Sequence, residues 1–139
     1  MAGWRCVGAR ITDLNARVGV LVLAGLALAG CERPMTAPGN PGVCWRQIVG
    51  VNDKPDFRIV APNISSLENC AARLEGLRMV NGGEVTGAFQ GRFIYVSESE
   101  ITAAASPKSQ RYRVFTPDQR AKIQEGVRTL LAREKGLEG

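Results

Sequence analysis

The chain predicts an α+β fold: a small antiparallel sheet of four to five strands with two amphipathic helices packed on one face, in the order ββα-ββ(β)-α. Three observations carry this expectation. Short runs rich in β-branched and aromatic residues (VCWRQIV, FRIVA, RFIYV, RYRVF) are separated by turn-forming clusters. Two longer stretches repeat apolar residues at spacings of three and four behind a hydroxyl residue, the pattern of a capped helix with one covered face. All these elements lie beyond residue 42, in a length of chain that suits one small core rather than two.

Residues 43–51, VCWRQIVGV, read as the first strand, and Asn52-Asp53-Lys54-Pro55-Asp56 as a turn. Phe57-Arg58-Ile59-Val60-Ala61 then reads as a second strand hairpinned to the first. Ser65 followed three residues later by Glu68 fits a capping box and opens the first helix. Leu67, Cys70, Ala71, Leu74 and Leu77 form its apolar face, and Asn81-Gly82-Gly83 ends it. Residues 84–97 form a hairpin turning at Gln90-Gly91, and Arg92–Val96, apolar on both faces, suits a central strand. Glycines 83, 87 and 91 fall four apart, but no Gly-Lys-Ser/Thr follows them and no helix opens there. They read as turn and bulge glycines. Residues 98–110 read mostly as loop with a short strand around Ile101, and 111–115 as the last strand. Thr116 caps the second helix, with Pro117 in its first turn, Asp118 favouring the dipole and Gln119 completing the box. Ile123, Val127, Leu130 and Leu131 form its stripe to about Lys135, and Gly126 weakens it by about 1 kcal/mol relative to alanine.

The N-terminal region follows other rules. The apolar run 18–30 falls short of the about 20 residues of a membrane-spanning helix and lacks the polar face of a soluble one. Arg5, Arg10 and Arg17, opposed only by Asp13, precede it, which is the layout of a secretory signal. The run closes at Leu28-Ala29-Gly30-Cys31, a tetrapeptide that resembles the lipobox of bacterial lipoproteins. The resemblance implies a signal peptide over 1–30, cleavage between Gly30 and Cys31, a diacylglycerol thioether on Cys31 and palmitate-type acylation of its amine. It also implies a periplasm-facing protein anchored to a membrane of the bacterial envelope. Glu32 is not the aspartate that retains some lipoproteins in the inner membrane, so the outer membrane is favoured.

On that basis Cys6 leaves with the signal and Cys31 carries lipid, so Cys44 and Cys70 remain to form one disulfide in an oxidising compartment. Closing a loop of that length stabilises by about 3–4 kcal/mol in the chain-entropy model. Their separation is unlike Cys-x-x-Cys, and with no histidine in the chain a zinc site cannot be completed. Residues 31–42, with their prolines and glycines, read as a tether spanning roughly 20 Å as a coil, and 43–139 as the folded domain.

From residue 31 onward fifteen basic and twelve acidic side chains leave a net +3, against +5 for the whole chain. The surplus sits late, between Lys108 and Lys135, as a solvated helix face or a patch toward anionic headgroups or another acidic surface. Nucleic acid is excluded as a partner by the compartment.

The absence of histidine removes Ser-His-Asp and Cys-His nucleophile systems. Glu98 and Glu100 are the one arrangement that could serve as a carboxylate pair for glycoside hydrolysis, and they lie in a short polar segment with few aromatics nearby. Lys108-Ser109 lacks any sign of an oxyanion hole. Arg111 and Arg113 alternate with Tyr112 and Val114, which brings both guanidinium groups to one strand face. With Tyr112 and Arg120 or Lys122 they are the candidate contacts for a partner or an anion. Trp45 suits core packing beside the bridge more than an exposed anchor. The stretch TPDQRAKIQEGVRTLLAREKG resembles the last helix of OmpA-like peptidoglycan-binding domains in its Arg-Ala pair and spaced apolar residues. The glycine-, threonine- and asparagine-bearing stretches of that family are not found before it, so no binding role carries over.

The expectation is a non-catalytic binding or assembly accessory of the cell envelope, with a membrane and an envelope protein as partners and neither metal nor cofactor. The rivals are an inhibitor or small-ligand-binding module on the same anchor, and a hydrolase built on Glu98 and Glu100.

Overall fold

The computed structural model describes residues 33–137; the expected signal peptide and lipobox, with Cys31, lie outside the described residues. Strands β1 (Cys44–Val49) and β2 (Pro55–Ala61) form a hairpin around a short 3₁₀ turn, Val51–Asp53, in which Asn52 and Asp53 take positive φ. Helix α1 (Leu67–Asn81) follows. Then come β3 (Val85–Phe89), β4 (Arg92–Val96), β5 (Ile101–Ala104), β6 (Tyr112–Arg113) and α2 (Pro117–Leu137). The six strands make one antiparallel sheet in the order β2-β1-β3-β4-β5-β6. Because β2 and β3 both run antiparallel to β1, they are parallel to each other. The chain needs α1 as a crossover to pass from one to the other.

The fold class is the one the sequence predicts, with one more strand. Ile101-Thr102-Ala103-Ala104 is buried along its whole length, so it shows none of the apolar–polar alternation that marks a strand with one wet face. Its two alanines, Ala103 and Ala104, lie on opposite faces of the sheet and both are buried. The first cap also shifts by one residue. Ser66, not Ser65, accepts from the backbone N–H of Asn69 (3.2 Å), while the Ser65 hydroxyl takes the Asn69 side-chain amide at 2.7 Å. At α2 the predicted box closes both ways. Gln119 N–H donates to Thr116 Oγ1 (3.3 Å) and Thr116 N–H to Gln119 Oε1 (2.9 Å). The hairpin turns at Gln90-Gly91, both at positive φ, as a two-residue loop between twisted strands requires.

Two cores share the sheet. Beneath α1, Cys70, Ala71 and Leu74 meet Cys44, Val85, Phe89, Ile94 and Ile101, and the Cys44–Cys70 disulfide stitches helix to first strand across a Cα separation of 5.3 Å. The approach is close enough that Gly87 is obligatory: a Cβ there would collide with Leu74 Cδ1 and the Trp45 carbonyl. On the opposite side, Trp45, Ala88, Phe93 and Ala104 lie in one row across the strands. Phe93 is fully buried there between Phe57 and Tyr95, with ring centroids 6.2 Å away on both sides.

The segment before β1 is tied down further than a free tether. Gly91 N–H donates to the Pro38 carbonyl (2.8 Å), Gly42 N–H to Gln90 Oε1 (3.1 Å), and Ile64 N–H to the Gly42 carbonyl (2.8 Å). Of the tether expected over 31–42, the part from Pro38 onward rests on the β3–β4 turn and on the loop leading into α1.

Candidate functional site

The four residues singled out for contact are divided by the fold. Register places Arg113 opposite Thr102, in the row Thr86–Tyr95–Thr102 on the side of the sheet away from α1. Tyr112 pairs with Ala103 and points to the other side, where its hydroxyl accepts from Arg92 Nη1 at 3.0 Å. Arg111 and Arg113 do share a face, as their alternation predicts. The Arg111 guanidinium carbon sits 3.7 Å from the centre of the Tyr95 ring, a cation–π stack on an exposed surface. Arg113 reaches Glu100 at 3.5 Å.

Arg120 belongs elsewhere. It is 7% exposed and donates from Nε to Glu75 Oε1 (3.1 Å) and from Nη2 to Oε2 (3.2 Å), with further bonds to the carbonyls of Ser97 and Glu98. It is therefore spent inside the protein and cannot hold an external anion. Glu75, wholly buried, also accepts from Arg78 Nε (2.8 Å) and Nη2 (3.2 Å) and from Gln124 Nε2 (2.6 Å). Burial pushes the Glu75 carboxyl up, but hydrogen bonds from Arg78 and Gln124 and the positive charge of Arg120 and Arg78 outweigh it. They hold the carboxyl below the usual carboxylate range. A buried carboxylate without such partners would cost several kcal/mol, so these groups form a latch joining α1, the first turns of α2 and the β4–β5 loop. The signal for it lies in the sequence. Glu75 follows Ala71 by four on the inner face of α1, and Arg120 precedes Ile123 by three and Val127 by seven on the stripe of α2. Reading arginine as a surface residue by type hid its position.

The stack of Arg111 on Tyr95 forms one wall of a polar recess of about 320 Å³, lined also by Glu84, Thr86, Ser97, Glu100 and Thr102. Glu98 does not line it. The β4–β5 connection is a tight turn, with Ser97 N–H bonded to the Glu100 carbonyl (3.0 Å) and Ser97 Oγ accepting from Glu100 N–H (3.1 Å). Glu98 and Glu100 therefore do not face each other across a cleft, and the Glu100 side chain is 46% exposed and ion-paired. Ser109, the other candidate nucleophile, bonds back to Ser106 through both its donor and its acceptor, closing a local turn. Trp45 is partly buried, and its indole N–H is enclosed with no hydrogen-bond partner among the described residues.

A larger feature lies between the helices. An open groove of about 920 Å³ runs between α1 and α2, with Leu77, Val80, Ile123, Val127, Leu130 and Leu131 in its apolar lining together with Val60 of edge strand β2. Val80 and Leu130 are each 59% exposed. The stripe of α2, expected to be covered by the domain, is covered only in part.

Among the described residues no group of three His, Cys, Asp or Glu side chains converges as a metal site would require. No described helix is long and apolar enough to cross a membrane. No family profile, curated protein or solved structure matches the chain.

Proposed function

We propose that this protein is a bacterial lipoprotein, anchored through acylated Cys31 and facing the periplasm, whose domain serves as a non-catalytic binding or assembly module of the cell envelope. The lipobox at Leu28–Cys31 supports the anchor, and the bridge between Cys44 and Cys70 fits an exported chain, since such bonds persist in oxidising compartments. Glu32 after the lipidated cysteine favours the outer membrane.

One observation carries the binding role: Arg111 stacked at 3.7 Å on Tyr95 beside a polar recess. Arginine and tyrosine, with tryptophan, are enriched at the energetic centres of protein interfaces. Here the stack holds the guanidinium in place before any partner arrives, so little conformational freedom remains to be lost on binding. Arg113 paired with Glu100 supplies a polar rim.

The test is affinity capture of the intact acylated protein from detergent extracts, alongside Arg111→Ala and Tyr95→Ala, with mass analysis of the first residue. The reading expects a stoichiometric envelope protein that either substitution releases while the thermal midpoint is retained. Capture unaffected by both removes this face from the site, and a first residue without acyl groups removes the anchor. A small-ligand role is favoured only by the recess volume, which lies at the low end of ligand sites. Both substitutions would then leave protein capture intact.

A further inference from the structure

We infer that the C-terminal half of α2, from Ile123 to Lys135, lies along the anionic surface of the bilayer that holds Cys31, with the lip of the α1–α2 groove turned toward the lipid. The inference rests on the anchoring of Cys31 proposed above and adds a second, non-covalent contact to it.

Three observations meet here. The first is the uncovered apolar arc. Leu130 is 59% exposed, and Ile123, Val127 and Leu131 are only partly covered, although they share one side of the helix. The second is charge placement. At 100° per residue, Lys122 and Arg133 fall on one shoulder of that arc, and Arg128 and Lys135 on the other. Glu125 falls on the far side. Bases on both shoulders of an apolar arc suit a helix lying in the headgroup plane: the apolar side chains enter the acyl boundary, and the long basic ones reach back to phosphate. An acidic protein helix would meet the same charges, but the third observation favours the membrane. Gly42 is bonded to Ile64, and Asn63, Ile64 and Ser65 line the same groove as Leu130 and Leu131. Gly42 is also bonded to Gln90 of the β3–β4 turn, and Gln90 lines a small recess together with Ser65, so that turn stands beside the end of the groove. With Pro38 held at the β3–β4 turn, only residues 31–38 separate lipid from domain, about 15 Å as a coil. So short a link keeps the groove within a helix length of the headgroups.

Glu134 opposes the arrangement. It sits on the midline of the arc near the helix end and limits how far that end sinks. Its neutralisation is therefore a sensitive probe.

The experiment uses the acylated protein in vesicles of phosphatidylcholine with and without phosphatidylglycerol, carrying a nitroxide at position 130 (Leu130→Cys) or 125 (Glu125→Cys). The bridged Cys44 and Cys70 and the thioether at Cys31 leave the new thiol as the labelling site. With phosphatidylglycerol present, the label at 130 should become shielded from a water-soluble nickel chelate and open to oxygen, while the label at 125 stays exposed. Replacing any one of Lys122, Arg128, Arg133 or Lys135 by glutamine should lower the docking constant about fivefold, and Glu134→Gln should raise it by a similar factor. A label at 130 equally open to the chelate on both vesicles overturns the inference. So does shielding that falls on dilution in the bilayer, which assigns the face to a second copy. Shielding that requires an envelope extract assigns it to a protein and also overturns the inference. The anchor is read separately. A chain that floats with phosphatidylcholine vesicles but keeps its label exposed when phosphatidylglycerol is included fails only this inference. A chain without acyl groups fails the anchor, and its label still reports whether α2 docks on added phosphatidylglycerol vesicles.

Discussion

Helices α1 and α2 both begin at a hydroxyl cap and both carry an apolar stripe, yet the protein treats them differently. The inner face of α1 is enclosed on the sheet: Cys70, Ala71 and Leu74 are fully buried, the bridge pins the helix to β1, and Gly87 lets the backbones close up. α2 is held at its start by the Glu75–Arg120 latch and the Thr116–Gln119 box, and beyond Gly126 its apolar residues are left largely open. An amphipathic pattern states that a face requires cover. Whether the domain supplies that cover, or something outside it does, depends on how far the sheet extends beneath the helix.

The largest effects are expected where α1 is held. Replacing both Cys44 and Cys70 by serine should lower unfolding stability by about 3–4 kcal/mol in urea titrations, since the linkage constrains the unfolded chain. Arg120→Ala should cost about 3 kcal/mol, because Glu75 would lose a charged partner without regaining water. Pairing Arg120→Met with Glu75→Gln should recover much of that loss, which separates the energy of an abandoned charge from the value of the pair. Gly87→Ala should cost about 2 kcal/mol through overpacking against Leu74. At the other extreme, Leu130→Ser should change stability by less than about 0.5 kcal/mol, as expected of a side chain in water. A loss at Leu130 comparable with that at Gly87 would mean that α2 is as enclosed as α1.

The latch also sets a pH dependence. The folded Glu75 carboxyl is held below the usual carboxylate range, so the unfolded chain binds the proton more readily. Its contribution is then fully present above the unfolded carboxyl value of about 4.3 and is lost as pH falls through the lower folded value. The urea midpoint should drop on acidification from about pH 5 to about pH 3, and Glu75→Gln should flatten that drop.

What was legible in the sequence is what local chemistry decides. Gln90-Gly91 turns a hairpin because both positions need positive φ, Asn81-Gly82 stops a helix, and Thr116 to Gln119 closes a reciprocal box, all without reference to distant residues. β5 shows in the sequence only as a short strand around Ile101, because a strand buried on both faces loses its period, and the cap falls on Ser66 rather than Ser65 where two hydroxyls stand side by side. The candidate site was legible in part: alternation put Arg111 and Arg113 on one face, but that Arg111 would lie on Tyr95 depended on the register of β4 with β5. The Glu75–Arg120 latch spans forty-five positions, and no local pattern joins its halves.

The contrast between the helices is tested most directly by backbone hydrogen exchange along α2. The latched turns, Arg120 to Gln124, should exchange at rates near those of α1, and residues 127–135 orders of magnitude faster while the groove is empty. Uniform protection from Arg120 to Lys135, with no lipid or partner present, would contradict the account.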